Sequence, residues 1–94
     1  MTKPQAAAVT MLDPLASEIV AALRYFRGVC HRREVIEYIL SAHRRAGERI
    51  AEDFPDAIIE AFHQWLGQGE DDPRPFRLPF GPGSHRWALS PASL

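Results

Sequence analysis

The sequence predicts an α+β domain, mostly helical, in which three helices are followed by a C-terminal two-stranded β-hairpin. Three observations carry this expectation. Apolar residues recur at helical spacing in three segments, each bounded by Asp-Pro, Gly or Pro signals. Near the end, Phe76, Leu78 and Phe80 alternate with Arg77 and Pro79, and Trp87 and Leu89 alternate with Arg86, Ala88 and Ser90, on either side of Gly81-Pro82-Gly83-Ser84. A lone hairpin is marginal in water, so its aromatic face must rest on the helices.

Residues 1–12 show no periodic face and read as a flexible lead-in, and 13–90 read as the folded domain, with 91–94 a short tail. Asp13-Pro14 supplies a capping carboxylate and a proline at the first helical position. Leu15, Ile19, Leu23 and Phe26 then share a face, which gives a first helix over Pro14–Arg27 ended by Gly28. Val29-Cys30 is too short to distinguish a loop from a brief strand. A second helix is expected over His31–Ala46, with Val35, Ile36, Ile39, Leu40 and Ala42 on its apolar stripe and Gly47 as its C-terminal cap. Glu48–Asp53 reads as a surface turn or a short extra helical turn. Asp53 and Asp56 flank Pro55 at the start of a third helix, Pro55–Leu66, where negative charge suits the helix dipole. Ile58, Ile59, Phe62, Trp65 and Leu66 are its buried face. In the hairpin, Gly81 and Gly83 are free to take positive φ and Pro82 fixes its own. The expected core is Leu15, Ile19, Leu23, Ile36, Leu40, Ile58, Phe62 and Leu66, sealed by Phe76, Leu78, Trp87 and Leu89, with Trp65 and Phe80 also inside.

Composition is that of an ordinary globule: 94 residues, 46% hydrophobic and 24% charged. No apolar run reaches the ~20 residues of a bilayer span, and no signal-peptide layout is present at the start. The single cysteine, Cys30, precludes an internal disulfide and fits a reducing cytoplasm as a buried free thiol. The net charge of −1 hides a segregation. Residues 24–49 carry seven arginines against Glu34, Glu37 and Glu48, whereas residues 50–72 carry seven acids and no Lys or Arg. Arg74, Arg77 and Arg86 make the end of the chain basic again.

The element order, together with Phe76-Arg-Leu-Pro-Phe-Gly-Pro-Gly-Ser-His-Arg-Trp-Ala-Leu89 and Arg33-Glu34-Val35-Ile36-Glu37-Tyr38-Ile39, resembles winged helix-turn-helix domains over roughly residues 14–90. The resemblance implies a wing at the hairpin and a DNA-reading third helix. Mapped onto this chain, that helix would expose Asp56, Glu60, His63 and Gln64, with Asp53 just ahead of it, and so departs from the expected pattern. DNA affinity comes largely from Lys and Arg at phosphates, and this helix has neither.

Two functions follow. The first is a small non-enzymatic DNA-binding protein, a transcriptional regulator acting as a dimer. It would grip phosphates of double-stranded DNA with Arg77, Arg86 and His85 on the hairpin and Arg32, Arg33, Arg44 and Arg45 on the second helix. The second is a protein-interaction module that presents Asp53, Asp56, Glu60, His63 and Gln64 to a basic protein partner. Base rates of the fold favour the first and the charge map favours the second. No cofactor is implied. His31, His43, His63 and His85 lack zinc-ligand spacing, Gly81-Pro82-Gly83-Ser84 lacks the lysine of a phosphate loop, and no catalytic constellation is visible.

Overall fold

The computed structural model describes residues 13–69 and 71–93, so the lead-in expected over 1–12 lies outside the described residues. The element order is α1 (Pro14–Tyr25), β1 (Val29–His31), α2 (Arg32–Arg45), α3 (Phe54–Gln64), β2 (Phe76–Arg77) and β3 (Arg86–Leu89), then a 3₁₀ turn at Pro91–Ser93. The architecture is α+β and mostly helical, with a small antiparallel sheet of strand order β1-β3-β2. No helix among the described residues is long and apolar enough to cross a membrane.

The helix boundaries follow local chemistry. At the start of α1, Asp13 accepts from the Leu15 backbone N–H through Oδ1 at 2.8 Å, satisfying one of the orphan donors of the first turn. The helix ends two residues earlier than the expected Arg27. The Gly28 N–H donates to the Leu23 carbonyl (2.7 Å) and the Arg27 N–H to that of Arg24 (3.0 Å), a Schellman closure. Its left-handed slot is filled by Arg27, at φ 67°, and Gly28 after it is also at positive φ, 97°. The end of α2 closes in the same way, Glu48 donating to His43 and Gly47 to Arg44, here with Gly47 in the left-handed slot at φ 78°. For α3, Pro55 sits in the first turn and Asp56 beside the positive end of the dipole. This helix runs Phe54–Gln64, and the expected end at Leu66 is corrected: Leu66 leaves the helix to form an isolated parallel bridge with Phe76.

The sheet corrects the expected two-stranded hairpin. Val29–His31 is a true strand, pairing Val29 with Ala88, Cys30 with Trp87 and His31 with Arg86. β2 pairs with the other edge of β3, Phe76 with Leu89 and Arg77 with Ala88. The last strand in the chain is therefore the central one. The first hairpin strand stops at Arg77 and does not continue to Phe80. Pro79 has no N–H to offer a ladder, and the chain instead makes two successive turns, Gly81 donating to Leu78 and Ser84 to Gly81. Pro82 followed by Gly83 at φ 89° is the pattern of a type II turn in the second of them.

Cross-strand partners share a face and alternate residues oppose it. Cys30, Phe76, Trp87 and Leu89 thus point toward the helices and are all buried. They meet Ala16, Ile19, Ala22 and Leu23 of α1, Val35 and Ile39 of α2, and Ile58, Ala61 and Phe62 of α3. Leu15, Ile36, Leu66, Leu78 and Trp65, expected inside, are only partly buried and pack against this core from its margins. Phe80 is a clear correction, at 71% exposed. Alternation alone would have turned it inward, but the Leu78–Gly81 turn carries it away from the helices.

Candidate nucleic-acid interface

The outer face of the sheet is set by register. One row across the strands is Val29, Ala88 and Arg77, and the next is His31 and Arg86. Arg77 is fixed along its edge by an Nε–H bond to the Leu89 carbonyl at 3.3 Å, and its side chain remains exposed. Arg86 follows a turn in which its own backbone N–H donates to Ser84 Oγ at 3.1 Å.

β1 runs straight into α2, and this continuity brings the hairpin to the start of that helix. The Arg32 N–H donates to the His85 carbonyl at 2.8 Å, and the Arg33 N–H donates to His31 Nδ1 at 3.0 Å. His31 and His85 meet edge to face, with ring centroids 5.9 Å apart. Partial desolvation, with Arg33, His85, Arg86 and Arg32 nearby, holds the His31 imidazole below its ordinary pKa. A neutral ring is also what the cap demands, since Nδ1 must keep a lone pair to accept. The first two amides of α2 are thus already bonded, and anion attraction here rests on the side chains. Among the described residues, Arg32, Arg33 and Arg86 have no carboxylate within 4.0 Å, and neither Glu34 nor Glu37 pairs with an arginine.

The seven residues expected to contact DNA are therefore divided. Arg32, Arg33, His85 and Arg86 converge, and Arg77 extends the group along the sheet. Arg44 and Arg45 lie at the far end of α2, about 18 Å further along its axis at ~1.5 Å per residue. Arg45 borders a groove that Arg33 also lines, with Tyr25, Phe26 and Tyr38, whose rings form a surface cluster with centroids 4.9–6.0 Å apart.

The residues of the acidic alternative share one exposed face. Asp53, Asp56, Glu60, His63 and Gln64 are all exposed, and His63 Nδ1 bonds the Ile59 carbonyl at 3.0 Å. No ion pair engages Asp53, Asp56 or Glu60 among the described residues. Further along, the acidic segment does have a counter-charge. Arg74 binds Asp72 with both arms of its fork, Nε to Oδ1 at 3.0 Å and Nη2 to Oδ2 at 2.6 Å. Asp72 also accepts from the backbone N–H groups of Arg74 and Gln68 (3.0 and 2.9 Å). The Arg74 guanidinium first, and then these amides, hold the Asp72 carboxyl far below the usual range.

Two contributors escaped the sequence. His31 is an unusual helix cap, so its place in the cluster was hidden behind the commoner Ser, Thr, Asp and Asn rule. Arg27 was assigned to a helix that ends before it. Cys30 is buried as expected, and burial, with Glu34 adding, pushes its thiol up to about 11, leaving it protonated and unreactive at neutral pH. The chain matches no protein-family model, no curated protein and no solved structure.

Proposed function

We propose that this domain is a winged helix that binds double-stranded DNA as a transcriptional regulator, with the β2–β3 hairpin as its wing. The observation that supports this reading is the convergence of Arg32, Arg33, His85 and Arg86 where the hairpin meets the start of α2, with Arg77 beside them. Unpaired guanidinium groups held close together repel one another, and bound phosphates would relieve that repulsion. The element order and the central position of β3 fit the same reading. Phosphate contacts come from the wing and the first turn of α2, while α3 presents carboxylates and contributes little affinity. Within this reading the protein acts in the cytoplasm, where the buried Cys30 thiol would stay reduced.

The test is binding to a mixed-sequence duplex over a salt series. Log affinity should fall linearly with log salt, and Arg77→Ala with Arg86→Ala should remove most of the binding. Absence of binding at low salt would end the DNA reading.

A second reading is supported by the exposed, unpaired carboxylates of Asp53, Asp56 and Glu60. In it, the α3 face docks a basic protein. Asp56→Ala with Glu60→Ala would then abolish the interaction, and the wing variant would leave it intact.

A further inference from the structure

The outer face of the sheet holds a shallow pocket of about 230 Å³ that shares Arg77 with the phosphate-gripping group and extends away from it. Its floor is Val29 and Ala88, and one wall is Phe80 with Pro79. Arg27 and Arg77 also line it. Three features set it apart from ordinary surface. Phe80 is a large apolar ring kept 71% exposed on a loop stiffened by Pro79, Pro82 and two consecutive turns. Val29 is 42% exposed beside it. Arg27 occupies the left-handed slot of a Schellman closure, a place that α2 gives to Gly47 and that strains an L-residue. A strained residue retained at a pocket rim is a pointer to binding.

The chemistry of the pocket is a flat apolar patch flanked by cations. A nucleobase matches it, being a flat ring tethered on both sides to phosphates. Within a duplex, the faces of a base are covered by its neighbours and cannot reach such a patch. An unpaired base can, and stacking on an aromatic side chain is how single strands are commonly held. We propose that this pocket takes one unstacked base of a DNA strand against Phe80, with the flanking phosphates on Arg27 and Arg77. The protein accordingly prefers a duplex carrying a single-stranded extension to a blunt one. This rests on the DNA reading above and adds to it a preference for where on DNA the protein sits.

The experiment compares the full chain on a blunt duplex and on the same duplex with a short 3′ or 5′ extension, at several salt concentrations. Wild-type protein should bind one of the extended duplexes more tightly, by about fivefold to a hundredfold for a single stacked base. A 2-aminopurine at the first unpaired position should change its fluorescence on binding. Phe80→Ala should lose both the preference and the fluorescence change while holding the blunt duplex as before, and Phe80→Tyr, which keeps a flat ring, should restore them. Equal wild-type affinity for extended and blunt DNA, with a normal salt slope, overturns the pocket and leaves the DNA reading standing. A preference that survives Phe80→Ala overturns it as well. Failure to bind any of these DNAs at low salt overturns both.

Discussion

The indole of Trp87 lies flat on the ring of Phe62, centroids 3.9 Å apart and planes 5° from parallel, with both side chains almost fully enclosed. Phe76 also stacks on Phe62, with centroids 5.0 Å apart. The stack joins α3 to β3 and to β2, so the acidic helix and the basic hairpin share one rigid contact. Trp87→Ala should cost about 3–5 kcal/mol, against a total of roughly 5–15 kcal/mol for a domain of this kind. Chemical denaturation would show it as a large fall in midpoint, and Trp87→Phe, which keeps a ring on Phe62, should recover part of the loss.

His43 bridges two carboxylates through its two ring nitrogens, Nε2 to Glu18 at 2.6 Å and Nδ1 to Glu48 at 2.7 Å, with Phe54 edge-on at 5.0 Å. Only the imidazolium can donate in both directions. The bonds to Glu18 and then to Glu48 raise its pKa above the ordinary 6.5. Folding thus takes up a proton in the window from 6.5 upward to the raised value. The stabilisation is complete below that window and disappears as pH rises through it. Urea midpoints measured from about pH 6 to about pH 8 should decline in wild type, and His43→Ala should flatten that decline.

Arg27→Gly should raise stability. The φ of 67° penalises any side chain, and glycine removes the penalty while adding entropy to the unfolded chain, for a net gain of up to about 1 kcal/mol. The same variant should weaken binding to an extended DNA. Thermal melting and anisotropy on one preparation would read both effects.

The arginines where the hairpin meets α2 and those at the far end of α2 should separate in function. Arg33→Ala with Arg86→Ala should weaken duplex binding and reduce the slope of log affinity against log salt by about one for each phosphate no longer neutralised. Arg44→Ala with Arg45→Ala should leave both quantities near wild type. An equal effect of the two pairs in an anisotropy titration would contradict the convergence of the hairpin on the first turn of α2.

Much of the fold was legible because its signals are local. Asp13-Pro14 and Gly47 mark helix ends by chemistry confined to a few residues, and the spacing of Ile19, Leu23, Val35, Ile39, Ile58 and Phe62 records the buried faces directly. Val29–His31 could not be read so simply. Three residues hold no periodicity, and the partner that makes them a strand lies almost sixty positions away at Arg86–Leu89. Phe80 misled for the opposite reason, since its alternation with Phe76 and Leu78 was genuine but the turn at Pro79 overrode it. At the candidate site, the basic character of the hairpin and of the second helix could be seen in the sequence. Which half of that helix meets the hairpin could not, because it depends on β1 pairing with β3.

That pairing scheme also concentrates the cohesion of the sheet in one strand. Within the sheet, β1 and β2 each pair with β3 and never with one another. Cys30 and Phe76 are therefore brought into one sheet only through β3. One four-residue strand joins both edges and carries Trp87 onto Phe62. Such distant pairings slow the search for the native state, and a lesion in Arg86–Leu89 would take the sheet partner from both of its neighbours together.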